Sequence, residues 1–261
     1  MLQARVSIPV VLAVAISLVS SGCGRKPPAP KPVQSTTTQR QTAKSNLLPP
    51  ISLPQPSQRL GTAVVIMIDT SGSMQQTVHD QSGNPRPKHE IARGALTKII
   101  HATDDWQKKH TDSALFMGIS SFSSGTTEVL KIGPFNADQA NHAVSAIPRP
   151  GGGTAIGKAL AAGFESLYST GCVRKHLICI TDGDNTVGTP PDLMARQLFS
   201  QTHGDVEMHF VAFDTSVSHF GFLKSTGGSV VVAADESQLQ ARLTEIYEKR
   251  IFAEAMPAEK E

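Results

Sequence analysis

The chain has 261 residues, 39% of them hydrophobic and 18% charged, with three Cys and one Trp. That length allows one large domain or two small ones; the composition is too apolar for disorder throughout and too polar for a bundle of membrane spans, and three cysteines exclude a disulfide-stapled miniprotein. The first acid is Asp69, whereas Arg5, Arg25, Lys26, Lys31, Arg40 and Lys44 all precede residue 59, leaving 18 basic residues against 22 acids in the remainder. A region of net charge −4 lacks the basic footprint of a nucleic-acid binder.

Residues 1–22 read as a secretory signal peptide. A short basic start, MLQAR, precedes an apolar run from Val10 to Val19, too short for a spanning helix, which needs about 20 apolar residues. Ser20-Ser21-Gly22-Cys23 follows. A small residue before a lone Cys resembles the lipobox of bacterial lipoproteins, although Ser20 stands where that pattern has an aliphatic residue. The resemblance implies cleavage before Cys23 and lipidation of its thiol. The protein would then be exported and membrane-anchored in a bacterial cell envelope, on its periplasmic or surface face. An ordinary cleaved signal with an incidental Cys is the alternative. From 23 to 58 the chain reads as a tether: residues 24–58 hold eight of the seventeen prolines, with Ser, Thr and Gln and few large apolar groups. Such a segment cannot offset its ordering entropy. It would reach roughly 100 Å as polyproline, or about 30–35 Å as a coil.

Residues 59–255 alternate strand and helix patterns, and 256–261 read as a disordered tail. Ala63–Ile68 (AVVIMI) is continuously apolar, as expected for a central parallel strand covered on both faces. Ile91, Ala95, Leu96, Ile99 and Ile100 recur at helical spacing over 88–100. Strands at Ala114–Ile119 and Thr127–Ile132 are joined by too few residues for a crossover, so the pair is an antiparallel hairpin. Helices at 136–146 and 154–169, a strand at His176–Ile180, a helix near 191–202 and a strand at Val206–Phe213 follow. A short helix near 217–224, a strand at Ser229–Ala233 and a helix over 236–252 complete the series. The pattern predicts an α/β domain: a mostly parallel sheet with one antiparallel edge strand and helices on both faces. Ligands of such sheets sit beyond the carboxyl ends of the strands.

Three segments meet that edge. The first strand runs into Asp69-Thr70-Ser71-Gly72-Ser73, Gly151-Gly152-Gly153-Thr154 opens a helix, and the His176–Ile180 strand ends in Thr181-Asp182-Gly183. Each alone has a local explanation: a capping box for Ser73 and Gln76, an N-cap for Thr154, a turn acid for Asp182. Together they offer carboxylates and hydroxyls, a donor set for a hard cation such as Mg²⁺. D-x-S-x-S, a later Thr after glycines, and T-D-G in that order resemble the metal-ion-dependent adhesion site of von Willebrand factor A domains. The resemblance implies a Rossmann-like fold and Mg²⁺ or Mn²⁺ at Asp69, Ser71, Ser73, Thr154 and Asp182. Ser71 and Ser73 would be direct ligands, Thr154 a direct ligand in the ligand-competent state, while Asp69 and Asp182 would orient waters and balance charge. It further implies that a Glu or Asp of a protein partner completes the coordination, and that the domain is an adhesion or assembly module, not an enzyme. One departure is the Gly- and Pro-rich stretch between Met74 and Lys88, expected as a projecting loop or small hairpin beside the metal.

Other motifs fall short. Gly152–Ala159 nearly spells a P-loop, but Ala159 replaces the hydroxyl and Pro148 and Pro150 stand where a strand must precede, so no nucleotide is expected. A phosphatase-like, metal-dependent hydrolase would use Asp69 as nucleophile, but the second acid it needs two residues on is Ser71. An envelope scaffold binding partners away from the metal is the third reading. A calcium loop at Asp182 would need Glu where Leu193 stands. The nine histidines show no ligand spacing and receive no role. Cys172 and Cys179, about 23 Å apart if extended, are not expected to pair.

Overall fold

The computed structural model describes residues 48–255; the expected leader, Cys23, most of the tether and the 256–261 tail lie outside them. The apolar run after residue 61 becomes β1 (Arg59–Asp69), the third strand of six. The others are β4 (Leu115–Phe122), β5 (Thr126–Pro134), β6 (Cys172–Thr181), β7 (Glu207–Phe213) and β8 (Ser229–Ala233), in the order β5-β4-β1-β6-β7-β8. All neighbours are parallel except β4 and β5, whose antiparallel pairing makes β5 the edge expected from the short connection.

Period-two alternation explains why β1 has no polar face. Val64, Ile66 and Ile68 point to one side, where α1 (Lys88–Lys109), α2 (Ala137–Ala146) and α5 (Glu236–Ile246) bring Ile91, Leu96, Ala143 and Leu239. Ala63, Val65 and Met67 point to the other, against Leu160 and Phe164 of α3 (Ile156–Ser169) and Leu198 of α4 (Pro191–Thr202). Each buried Val, Leu, Ile or Phe contributes roughly 1.5–3 kcal/mol, so the sheet is held from both faces. The backbone of α3 approaches closely: a Cβ on Gly163 would lie 2.5 Å from Leu177 Cδ1.

Three stretches differ from the pattern reading. Helix α1 runs nine residues past Ile100, because buried Thr103 and the stacking of Trp106 on Phe252 (ring centroids 4.9 Å apart) anchor a half that looks polar. The last helix changes pitch, α5 ending at Ile246 and a π turn occupying Tyr247–Phe252. The described end of the expected tether lies along the domain. Leu48, Ile51 and Leu53 pack on the α3–α4 side, and Gln201 accepts from Ile51 N and donates to Ile51 O (3.2 and 3.1 Å). The residues between Met74 and Lys88 form the small antiparallel hairpin expected of them, β2 (Thr77–His79) with β3 (Pro85–Pro87). Cys172 and Cys179 are free and buried.

Candidate metal sites

The register of β1 and β6, Ile68 opposite Ile180, brings Asp69 beside the Thr181-Asp182 corner. Asp69 is fully buried, and both its oxygens are engaged: Oδ1 accepts from Ser71 N (2.7 Å) and Oδ2 from Thr181 Oγ1 (2.6 Å). Burial pushes its carboxyl up to about 6, against those hydrogen bonds, and the charge of Asp182 adds a smaller push in the same direction. After Asp69 the chain turns through a 3₁₀ segment, Gly72–Gln75. That turn sets Ser71 Oγ 3.0 Å from Ser73 Oγ, and Ser73 Oγ donates to Asp182 Oδ1 at 2.7 Å. Ser73 therefore reaches across to β6 and does not form a capping box.

The glycine loop is fastened to the same turn by its backbone. Gly72 N donates to Gly152 O (3.1 Å), Gly151 N to Thr70 O (2.8 Å) and Ala155 N to Ser123 O (2.8 Å). Gly152 holds φ +80°, and a Cβ there would lie 2.9 Å from Ser124 Oγ, so this position requires glycine twice over. Helix α3 begins at Ile156 with Ala155 as its N-cap, and no side chain caps it. Thr154 is thus released from the capping role the sequence allowed it. Its N–H donates to Thr186 Oγ1 and its carbonyl accepts from Thr186 N (both 2.8 Å), which ties the residue to the segment that follows Asp182. Four of the five expected residues are linked directly by hydrogen bonds among themselves, and the fifth lies in the loop tied to them.

A sixth residue escaped the sequence reading. Lys88, the first residue of α1, is only 2% exposed. Its ammonium lies 3.1 Å from Asp182 Oδ2, 2.9 Å from Asp214 Oδ2 and 3.2 Å from Gln76 Oε1. The small hairpin delivers it there, with Lys88 N donating to Gln76 O at 2.9 Å. A signal existed: Lys88 heads the apolar row of Ile91 and Ala95, three and seven residues on, and so points inward.

Residues 63–245, more than two thirds of the chain, match the family model described as von Willebrand factor type A domain. The chain belongs to that family. Among solved structures this von Willebrand A domain is similar to the PilB minor pilin from Streptococcus sanguinis, at 15% identity, TM-score 0.62, over 79% of this chain and 65% of that one. It is also similar to a von Willebrand factor type A protein from Catenulispora acidiphila, at 23% identity, TM-score 0.55, over 72% of this chain and 42% of that one. A third is proximal thread matrix protein 1 from the mussel byssus, whose adhesion-site motif is occupied by zinc, at 17% identity, TM-score 0.55, over 73% of this chain and 48% of that one. The chain thus spans less than two thirds of the length of these proteins, and the likeness concerns the fold. A comparison with curated proteins found no match.

At the opposite edge of the sheet lies a cluster the sequence reading passed over. His176, Glu207 and His209 bring one donor atom each within 4.8 Å of one another, a set able to coordinate a metal ion. The overlooked signal is the alternation Glu207-x-His209, which puts both on one face of β7.

Proposed function

We propose that this chain is an exported lipoprotein, anchored through Cys23 and spaced by its proline-rich tether, whose domain captures an acidic residue of a protein partner by way of a divalent cation. Ser71, Ser73 and Thr154 would hold Mg²⁺ or Mn²⁺ directly, with Asp69 and Asp182 acting through water. The carrying observation is the Ser71 Oγ to Ser73 Oγ separation of 3.0 Å, because neighbouring corners of an octahedron with bonds of 2.0–2.1 Å are about 3.0 Å apart. The division of roles follows from the hydrogen bonds. Asp182 has one oxygen taken by Ser73 and the other by Lys88, and both oxygens of Asp69 are occupied. Each carboxylate oxygen already carries one contact, which favours the acids acting through water and the hydroxyls as direct ligands. Lys88 cancels one negative charge at the site, and a bound cation keeps enough positive field to attract an outside carboxylate. The same occupancy argues against the hydrolase reading, since a buried carboxylate with both oxygens engaged is poorly placed to attack.

The test is thermal unfolding of the full chain in millimolar Mg²⁺ or Mn²⁺ and then in chelator, beside Ser71→Ala. A ligand of the folded state stabilises by RT ln(1 + [L]/Kd), about 2.7 kcal/mol at a hundredfold excess over Kd. We expect a metal-dependent rise in the wild type only, and chelator-sensitive capture of a partner that Ser71→Ala and Asp182→Ala both abolish. Equal capture by those variants would move the partner surface away from the metal and favour the scaffold reading.

A further inference from the structure

We propose that His176, His209 and Glu207 form a second metal site, for a transition-metal dication of the zinc type, with Glu254 orienting His176 from behind. The argument begins with strand registry. Glu207 and His209 alternate onto the α1–α5 face of β7, and parallel pairing sets His176 of β6 opposite Glu207 and Ser229 of β8 opposite His209. Glu207, His209 and Ser229 lie at the amino-terminal ends of β7 and β8, and His176 sits beside them in the middle of the longer β6, which begins four residues earlier. His176 is fully buried and His209 nearly so. Their rings stack with centroids 5.6 Å apart and planes inclined by 19°.

Each imidazole turns one nitrogen inward and the other to an oxygen. The inner pair, His176 Nδ1 and His209 Nε2, are 3.4 Å apart, and His209 Nε2 is 3.6 Å from Glu207 Oε2. Two corners of a tetrahedron with Zn–N bonds of 2.0–2.1 Å are about 3.3–3.4 Å apart, so the inner nitrogens already have that spacing. On the outer side, His209 Nδ1 is 3.0 Å from Ser229 Oγ and His176 Nε2 is 3.2 Å from Glu254 Oε2. The His176 Nε2 contact is close enough for an ion pair but too poorly aligned for a good hydrogen bond. An oxygen behind each ligating histidine is the arrangement that fixes tautomer and ring orientation in metal sites.

When both outer nitrogens carry their protons, the inner two are bare lone pairs facing each other in a buried place, two acceptors with no donor between them. A dication resolves that conflict. Nitrogen ligands with one carboxylate suit zinc and its neighbours, whereas the all-oxygen set at the other edge suits Mg²⁺ or Mn²⁺. Burial lowers both imidazoles to about 4, so they are neutral, as ligands must be, near pH 7. The charged neighbours are mixed: Glu207 and Glu254 favour a cation, while Arg174, whose Nε is 3.8 Å from Glu254 Oε2, and Arg250 oppose it. The Glu207 side chain is 42% exposed, which gives an ion a way in. Because Glu254 belongs to the last helical turn, Ala253–Ala255, an ion here would also hold that turn to the sheet.

The experiment is equilibrium dialysis of the full chain against micromolar Zn²⁺ in millimolar Mg²⁺, with Co²⁺ absorption as the coordination readout. We expect the wild type and Ser71→Ala to retain one zinc each and to show the intense visible bands of low-coordinate cobalt. Glu207→Gln, which changes a half-exposed side chain, and His209→Gln should lose both signals while keeping the wild-type circular dichroism. Glu254→Gln should bind zinc 10- to 100-fold more weakly. Loss of zinc in Ser71→Ala but not in Glu207→Gln would place the ion at the other edge and overturn the proposal. So would no retained zinc in the wild type, the result if Ser229 donates to His209 and the imidazoles close on each other through one N–H···N bond. Unchanged affinity in Glu254→Gln would remove Glu254 from the site.

Discussion

The two edges of this sheet place buried titratable groups roughly 20 Å apart, the span of β6 from His176 to Asp182, yet they treat charge in opposite ways. At the carboxyl edge the buried acids Asp69 and Asp182 come with an internal cation, Lys88. At the amino edge the buried groups are imidazoles held neutral, and the nearby acids Glu207 and Glu254 are only partly covered. The first edge is charged, with one ammonium set among the carboxylates of Asp69, Asp182 and Asp214. The second is uncharged at its centre, where His176 Nδ1 and His209 Nε2 lie 3.4 Å apart. Oxygen donors with a built-in countercharge suit a weakly held, exchangeable hard ion; nitrogen donors with oxygens behind them suit a tightly held softer one.

The largest expected effect comes from removing the countercharge. Lys88→Met keeps the aliphatic stem and deletes the ammonium, leaving the Asp182 carboxylate buried without its partner, which costs on the order of 3–5 kcal/mol. Urea unfolding in chelator should show that loss. Mg²⁺ should restore more stability to the variant than to the wild type, because the dication supplies the missing charge. If Mg²⁺ restores no more to the variant than to the wild type, the ammonium and the ion are not neighbours.

How much of this was legible beforehand differs between the edges for a physical reason. The carboxyl-edge residues sit in contiguous motifs, because a strand that turns at its end must place ligands within a few positions of one another. Asp69, Ser71 and Ser73 are therefore visible as a string. Lys88 and the amino-edge cluster are assembled by registry between strands and by a hairpin of its own. His176 and Glu207 are neighbours only because β6 and β7 pair there, and no spacing along the chain reports that. The mostly parallel sheet, its central first strand and its antiparallel edge were readable from apolar runs and a short connection, whereas the strand order was not. The second half of α1 was not, since it is anchored by the buried Thr103 and by the stack of Trp106 on Phe252, a contact distant in sequence.

Acid should also separate the edges. In chelator, the imidazoles of His176 and His209 are held near 4 when folded, against an ordinary value of 6.5. The unfolded chain then takes up protons first, and stability is lost as pH falls from 6.5 towards 4. Asp69, raised to about 6 from 3.8, has the opposite sign: its folded form binds the proton more tightly, and stability is gained as pH falls through 6. Two imidazoles outweigh one carboxylate, for a net loss of about 2 kcal/mol between pH 7 and 5. Urea midpoints at the two pH values measure it. Saturating zinc at pH 7 should make the fall steeper, because the ligated imidazoles then resist protonation in the folded state alone.

The smallest expected change tests whether the edges act independently. Gly152→Ala forces a Cβ into a left-handed position and towards Ser124 Oγ, a cost of about 1–2 kcal/mol. It touches no proposed ligand, but it shifts the loop that carries Thr154, whose only tie to the Asp69–Ser73 turn described here is through that loop's backbone. The Mg²⁺-induced rise in melting temperature should therefore shrink while zinc retention stays at the wild-type level. The asymmetry follows from construction. The glycine loop belongs to the carboxyl edge alone, and its contacts are with Thr70, Gly72, Ser123, Ser124 and Thr186, none of which touches the His176–His209 pair. Loss of zinc in Gly152→Ala, measured by the same dialysis, would mean that the sheet transmits strain from one end to the other and that the two sites are coupled.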